Sequence, residues 1–192
     1  MQALRKAIQE QGKGIGTDIV EVGSFLNHRL DTGLMFQMGE HIAKAFAEDQ
    51  PSLILTVEAS GIALALATAH CMKDIPVLFA KKTPAKTLNE AMLTTQVKSY
   101  THGTAYTMRC AKALMKPNDH VLIVDDFLAD GEAVRGMMDL VKQAGATLAG
   151  VAIAIEKGFQ PGGRNLREQG VKLASLSIVT AIKDGHIQLL DD

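Results

Sequence analysis

Two adjacent carboxylates, Asp125 and Asp126, form the pattern with the clearest chemical meaning in this sequence. They follow an apolar run at residues 121–124 and precede a loop with the small residues Ala129 and Gly131, after which a helical pattern begins. A helix N-terminus presents unpaired N–H groups and partial positive charge, so it favours a phosphate. Paired carboxylates suit hydroxyl groups, a divalent metal or a centre that becomes cationic. A ribose phosphate meets both requirements, although such a pair can also simply cap a helix.

Charged or small residues also follow three other predicted strands. The segments are Glu58-Ala59-Ser60-Gly61 after strand 53–57, Lys81-Lys82 after strand 76–80, and Glu156-Lys157 after strand 148–155. Ligands in parallel α/β sheets bind beyond the carboxyl ends of the strands. These strand ends therefore predict one shared polar ligand, with Lys81 and Lys82 either solvated or in contact with an anion.

The elements that must position these residues alternate between strands and helices. Helical spacing predicts helices over 2–11, 34–48, 61–72, 132–143 and 161–169, and apolar runs predict strands over 53–57, 76–80, 121–124, 148–155 and 171–176. A hairpin is expected between 92–100 and 105–111. This order predicts an α/β fold with a mostly parallel, twisted sheet flanked by helices.

Composition excludes several classes of protein. The 192 residues carry 20 Lys and Arg against 21 Asp and Glu, a balance that argues against nucleic-acid binding. The longest apolar stretch covers about half a membrane span, which predicts no membrane association, and the N-terminus lacks the apolar core of a signal peptide. The two cysteines fit a cytoplasmic protein. Neither the histidines nor the cysteines have ligand spacing, so no protein metal site is expected.

The run 121–133 resembles the motif that binds 5-phosphoribosyl 1-pyrophosphate (PRPP) in the type I phosphoribosyltransferases. Residues 58–61 look like that family's pyrophosphate loop, and residues 81–104 fall where it carries a flexible catalytic loop. The segments 22–31 and 156–162 look like the xanthine branch of the family. The resemblance covers nearly the whole chain.

The resemblance implies a fold and an activity. The expected fold is the type I phosphoribosyltransferase fold, a single domain over 1–192 with a core at 35–156 and a small hood built from 1–34 and 157–192. The expected activity belongs to purine salvage: transfer of the 5-phosphoribosyl group from PRPP to xanthine, giving xanthosine 5'-monophosphate and pyrophosphate. Mg²⁺ bound mainly through PRPP, a homodimer and a cytoplasmic location are also implied.

The resemblance assigns the PRPP site residue by residue. Asp125 and Asp126 are the expected catalytic pair, which holds the ribose hydroxyls and favours positive charge on the ring. The other expected PRPP ligands are Ala129, Asp130, Gly131, Glu132, Ala133, Ser60, Gly61 and Lys81. Many family members place Thr in the phosphate loop, residues 129–133, where this chain has alanines. Phosphate binding is therefore expected to depend on backbone N–H groups.

The expected xanthine ligands are Val20, Asn27 and Lys157. Xanthine and other 6-oxopurines carry a carbonyl at C6, which requires a donor that Lys157 can supply, whereas adenine carries an amino group there. Phe159 either packs or stacks on the purine.

Two alternatives differ in substrate or in class. One is a phosphoribosyltransferase for hypoxanthine, guanine, adenine or orotate. The other is a non-catalytic regulator that senses PRPP, a class that carries an added DNA-binding segment. The first fifty or so residues hold no basic cluster, which disfavours the regulator.

Overall fold

The computed structural model describes residues 1–83, 91–98 and 105–191. In this part of the chain the elements are, in order, α1 (Gln2–Gln11), β1 (Lys13–Ile15), β2 (Ile19–Glu21), a π-helical turn (Gly23–Asn27), α2 (Thr32–Ala45), β3 (Leu53–Val57), α3 (Gly61–Cys71), β4 (Val77–Ala80), β5 (Met92–Lys98), β6 (Ala105–Ala111), a 3-10 turn (Lys112–Leu114), β7 (His120–Leu128), α4 (Glu132–Ala144), β8 (Thr147–Lys157), α5 (Pro161–Glu168), β9 (Leu173–Lys183) and β10 (His186–Leu189).

The central sheet has six strands in the order β10-β9-β8-β7-β3-β4. All neighbours are parallel except β10, which runs antiparallel to β9. From β3 the chain moves outward to β4 in one direction, and from β7 it moves outward through β8 to β9 in the other. The sheet therefore has its switch point between β3 and β7, where such folds bind ligands. The predicted α/β fold with a mainly parallel sheet is confirmed.

The strands of the sheet centre are apolar because both of their faces are covered. Leu122 and Val124 of β7 belong to a cluster with α2 and α3, whereas Val121 and Ile123 belong to a second cluster with α4. All five residues of β3 are buried. Strands covered on both faces give continuous apolar runs, which is why the sequence predicted them.

The hairpin of β5 and β6 lies outside the central sheet. Its register pairs Met92 with Ala111 and Lys98 with Ala105. It packs on α4 so closely that a Cβ on Gly136 would overlap the Val97 side chain. The predicted hairpin is thus present. Of the predicted flexible loop at 81–104, residues 84–90 and 99–104 lie outside the described part of the chain.

The two ends of the chain meet at one side of the molecule. The amino group of Met1 donates to the Leu176 carbonyl oxygen (2.7 Å), and the Gly14 N–H donates to the Gly185 carbonyl oxygen (3.0 Å). The antiparallel ribbon of β1 and β2 therefore lies beside β9 and β10. The division into a hood and a core remains a prediction. None of the described helices is long and apolar enough to cross a bilayer.

Two strands run further than their apolar residues predicted. β7 continues through both acids to Leu128, and β8 continues through Lys157. β8 supplies a backbone partner for β7 as far as the pair Leu128 and Glu156. On the other side, β3 pairs with β7 only as far as Ile123. The acids and Lys157 are therefore strand residues, and the prediction that they follow strand ends was wrong.

Candidate active site

Asp125 and Asp126 lie in the last half of β7, next to the switch point of the sheet. Their exposed fractions are 5% and 8%. The Asp126 N–H donates to Asp125 Oδ1 at 3.0 Å. Burial raises the pKa of Asp125 well above its ordinary value, the charge of Asp126 raises it further, and the charge of Lys82 acts in the opposite direction. Such a pair is suited to a ligand that brings hydrogen-bond donors or positive charge.

The predicted pyrophosphate loop, residues 58–61, lies against these acids. A Cβ on Gly61 would overlap Thr56 Oγ1 and lie 2.7 Å from Asp125 Oδ1, so only glycine lets α3 begin this close to the acids. The peptide bond between Glu58 and Ala59 is cis. Glu58 Oε1 accepts a hydrogen bond from the Lys82 N–H (2.6 Å). Ser60 immediately precedes α3, and its hydroxyl makes no capping bond to that helix.

The two lysines after β4 have different surroundings. Lys81 exchanges backbone hydrogen bonds with Arg109 at 2.8 and 3.0 Å, and its ammonium lies 5.9 Å from the Phe79 ring centroid. The ammonium of Lys82 lies 5.5 Å from the Tyr106 ring centroid. Its positive charge acts to lower the pKa of Asp125. Lys82, which the sequence left open, is thus the lysine placed beside the acids, while the role of Lys81 stays a prediction.

The phosphate loop connects β7 to α4. Gly131 has a φ of +88°, a left-handed conformation that favours glycine, and α4 begins at the next residue. The Glu132 N–H donates to Asp130 Oδ1 at 3.1 Å. Arg135 donates to the Asp130 carbonyl oxygen (3.1 Å) and pairs with the Glu132 carboxylate. All five predicted loop residues, 129–133, therefore belong to one turn at the helix N-terminus.

A cavity of about 240 Å³ lies in front of this loop. The loop and α4 form one wall of the cavity, and the hairpin of β5 and β6 forms another through Lys98 and Tyr106. Burial, followed by the charges of Asp125 and Asp130, raises the pKa of Tyr106. A cavity with the helix N-terminus on one side and Lys82 and Lys98 on another suits an anion.

Lys157 lies at the end of β8 beside Phe127, a residue that lines the cavity. Its ammonium donates to the Asp18 carbonyl oxygen at 2.7 Å and lies 5.9 Å from the Phe127 ring centroid. Burial lowers the pKa of Lys157, and the charges of Asp18 and Asp130 act in the opposite direction. Because Asp18 lies in the turn between β1 and β2, this hydrogen bond ties the N-terminal ribbon to the end of β8.

The other two predicted base ligands lie on N-terminal elements, one in this ribbon and one in the turn that follows it. Val20 is a buried residue of β2, two positions after Asp18, and Asn27 is half-buried at the end of the π-helical turn. Among the described residues, no hydrogen bond joins Asn27 to Lys157. Val20 thus follows the turn whose Asp18 accepts the Lys157 hydrogen bond, and the roles of Val20 and Asn27 stay predictions.

Sequence reasoning missed Phe127, which lies between the phosphate-loop cavity and Lys157. This half-buried residue lines the phosphate-loop cavity and lies under the ammonium of Lys157. The available signal was its position directly after the acids in an otherwise apolar strand. Phe159, which was considered for stacking, is exposed.

Known proteins are similar to this chain over most or all of its length. Residues 29–185 match the family model described as "Phosphoribosyl transferase domain". Over 191 residues the chain is 42% identical to the xanthine phosphoribosyltransferase of Ruminiclostridium cellulolyticum, covering 100% of both chains. Over 191 residues it is 43% identical to that of Moorella thermoacetica, covering 100% of this chain and 97% of the relative.

Similar solved structures are adenine phosphoribosyltransferases. The enzyme from Trypanosoma brucei has a TM-score of 0.74 and 20% identity, covering 91% of this chain and 78% of the other. The enzyme from Rhodothermus marinus has a TM-score of 0.72 and 23% identity, covering 92% and 96%. At these identities the likeness establishes the fold.

Proposed function

The chain belongs to the phosphoribosyltransferase family, and we propose that it transfers the 5-phosphoribosyl group of PRPP to xanthine, giving xanthosine 5'-monophosphate and pyrophosphate. The full-length relatives at 42–43% identity carry that activity in their names. The observation that supports it best is that the buried pair Asp125 and Asp126 lies on β7 just before the loop that leads into the N-terminus of α4. The next residue, Phe127, has its ring centroid 5.9 Å from the Lys157 ammonium.

In the proposed reaction a purine ring nitrogen forms a bond to C1 of the ribose while the bond from C1 to the pyrophosphate oxygen breaks. The purine nitrogen loses its proton to water, and pyrophosphate leaves with the bonding electron pair. Asp125 and Asp126 accept hydrogen bonds from the ribose hydroxyls and stabilise the positive charge that develops on the ring. Because both carboxylates are already in place, this stabilisation requires no rearrangement during the reaction.

The two phosphate ends of PRPP bind on opposite sides of these acids. The backbone N–H groups of residues 129–133 hold the 5'-phosphate, helped by the helix macrodipole, and the Glu132 N–H exchanges its bond to Asp130 Oδ1 for one to the phosphate. Residues 58–61 and the lysines Lys81 and Lys82 hold the pyrophosphate. The 5'-phosphate is remote from the breaking bond, so its binding energy is available to position the sugar.

The site also fits a Mg²⁺ ion that arrives with PRPP. Carboxylate oxygens are ligands that Mg²⁺ prefers, and Asp125 and Asp126 offer them beside the predicted pyrophosphate loop. Mg²⁺ keeps most of its ligands from water and substrate phosphates, so a complete protein cage is not needed. When bound, the ion neutralises charge on the leaving pyrophosphate.

The purine binds between the acids and the N-terminal ribbon. Lys157 donates to the C6 carbonyl, for which its ammonium has two further N–H groups besides the one bonded to Asp18. Phe127 supplies an aromatic face beneath the base. Val20 and Asn27 complete this end of the site.

Initial rates with a panel of bases test the proposal. With PRPP and Mg²⁺ present, we expect kcat/KM to be highest for xanthine among xanthine, guanine, hypoxanthine, adenine and orotate. A preference for adenine would contradict the assignment of Lys157. Absence of turnover together with tight, sequence-specific DNA binding in a gel shift at physiological salt would instead favour a PRPP-sensing regulator.

The active form is a homodimer in this proposal. A groove of about 550 Å³ between α2, α3 and β4 is bordered by Phe36 and Leu66, whose exposed fractions are 48% and 64%. Exposed apolar residues around a groove are typical of protein interfaces. Leu66→Glu should shift the mass measured by light scattering from dimer to monomer, whereas Leu114→Glu, at an equally exposed leucine elsewhere, should not.

The cytoplasm is the proposed location. Both Cys71 and Cys110 are free thiols, which suits a reducing compartment. Fractionation of cells that express the tagged chain would test this, and recovery with the membrane fraction would contradict it.

A further inference from the structure

A buried carboxylate next to the base end of the site is not used in the mechanism above. Glu156 is 3% exposed and accepts hydrogen bonds from both terminal nitrogens of Arg167, each at 2.7 Å. Ser175 donates a third hydrogen bond to the same carboxylate. Glu156 lies on β8, Ser175 on β9 and Arg167 on α5. The network therefore ties the helix to two strands of the sheet.

The opposite end of α5 contacts the phosphate loop. The Gly162 N–H donates to the Ala129 carbonyl oxygen at 3.1 Å. A Cβ on Gly162 would overlap that oxygen and lie 2.7 Å from the Gly131 nitrogen. A Cβ on Gly163 would overlap the Glu156 carboxylate. Two consecutive glycines thus let the first turn of α5 contact the loop on one side and the buried acid on the other.

The hydrogen bond to Ala129 determines how the loop presents its N–H groups. The carbonyl and N–H of one trans peptide unit point in opposite directions. With the Ala129 carbonyl directed at α5, the N–H of Asp130 is directed away from that helix. The cavity in front of the loop is lined by both residues. A shift of α5 would therefore rotate the first N–H group that is available to a phosphate.

We propose that Glu156 and Arg167 are positioning residues for the phosphate loop, acting through α5 and Gly162. This inference rests on the proposed function, because it assumes that residues 129–133 bind the 5'-phosphate. Glu156 is joined along β8 to Lys157, but its carboxylate is bonded to α5 and β9. Loss of the network should therefore weaken binding of the phosphorylated sugar more than binding of the base.

Steady-state kinetics of Arg167→Met, with Arg164→Met as control, test the proposal. Arg164 is an exposed arginine one turn earlier on the same helix. We expect Arg167→Met to raise the KM for PRPP at least tenfold and to leave the KM for xanthine within twofold of wild type. Arg167→Lys, which keeps a charged donor, should restore part of the loss. Arg164→Met should change neither constant more than twofold.

Gly162→Ala approaches the same contact from the other side and leaves the ion pair intact. We expect it too to raise the KM for PRPP selectively. If Arg167→Met does not fold, as judged by its circular dichroism and thermal melt, Gly162→Ala and the double variant Glu156→Gln/Arg167→Met decide the question. The double variant leaves no unpaired buried charge.

A PRPP KM within twofold of wild type in these folded variants would overturn the proposal. So would parallel changes in the KM for PRPP and for xanthine, since those indicate a general loss of structure. Titration calorimetry with ribose 5-phosphate separates the proposal from the proposed function, because this probe needs only the phosphate loop. Wild-type binding of ribose 5-phosphate that is weakened by Arg167→Met, or by the double variant, supports the proposal even if xanthine proves not to be the substrate.

Discussion

Asp125 on β7 and Glu156 on the neighbouring strand β8 are both buried acids, but their surroundings differ. Asp125 on β7 lies beside Ile153 of β8 in the sheet register, three residues before Glu156. Burial alone would raise the pKa of Glu156, but hydrogen bonds from Arg167 and Ser175 hold it below its ordinary value. Asp125 has the acidic neighbour Asp126 instead, and its pKa is raised.

The difference shows how a fold separates stabilising acids from acids kept for a ligand. A buried carboxylate with enough partners holds elements together. A buried pair without them costs stability in the free protein and keeps its hydrogen-bonding capacity for a substrate. The comparison predicts opposite effects on stability when each acid is neutralised.

The largest effect is expected for Asp125→Asn. The kcat for PRPP and xanthine should fall by about 10²–10³-fold, the usual loss when one preorganised electrostatic group is removed. Its melting temperature at pH 7 should rise, because the substitution removes the cost of burying the charge of Asp125 and its repulsion from Asp126. Kinetics and differential scanning calorimetry measure the two effects. Retained activity would contradict the catalytic role of Asp125. A lower melting temperature would contradict the claim that its burial costs stability.

Lys157→Met is expected to have the next largest effect. Loss of a charged donor to the purine carbonyl should raise the KM for xanthine by about 10- to 100-fold, from about 1.5–3 kcal/mol for such a hydrogen bond. The KM for PRPP should stay within about twofold. Lys172→Met is a matched control, since that ammonium lies 4.9 Å from the Phe46 ring centroid, outside the site. An unchanged KM for xanthine would remove Lys157 from the base site.

Glu156→Gln should have the opposite effect on stability to Asp125→Asn. We expect a loss of about 1.5–3 kcal/mol in the free energy of unfolding at pH 7, the contribution of hydrogen bonds to a charged group. Denaturant titration measures it, and Glu168→Gln at the exposed end of α5, the helix that carries Arg167, is the control. A Glu156→Gln variant as stable as wild type would show that the Glu156 carboxylate does not stabilise the folded protein.

The pH dependence of stability sharpens the same contrast. The pKa of Glu156 is lower in the folded protein than its ordinary value of 4.5. Its contribution is therefore present above about pH 4.5 and is lost as the pH falls through the folded pKa. The raised pKa of Asp125 has the opposite sign, so protonation of that group on acidification favours the folded state. Relative to wild type, Glu156→Gln should lose less stability between pH 5 and pH 3.

Phe127→Leu should give the smallest effect. An aromatic contact contributes about 0.5–1.5 kcal/mol beyond its area, which corresponds to roughly two- to tenfold in the KM for xanthine. The KM for PRPP should change less. Phe159→Leu at an exposed position tests whether the sequence pointed to the wrong ring. A larger effect at Phe159 would show that it did.

The sequence predicted what depends on residue type and on local period. The apolar strands, the helices and the pattern at 121–133 are of this kind, since covered strands and a loop before a helix N-terminus leave local signals. The prediction ended β7 and β8 too early. Their polar ends are held by pairing between the two strands, which the type of a single residue does not reveal. The role of Glu156 was missed because its partners, Arg167 and Ser175, are 11 and 19 residues away.

β7 is paired to different lengths on its two sides, and the difference falls at the two acids. β8 accompanies β7 to Leu128, but β3 stops pairing with β7 at Ile123. One edge of β7 is thus anchored along the acids while its other edge faces the turn at 58–61. Insertions or deletions in that turn would widen or narrow the entrance without disturbing either apolar cluster.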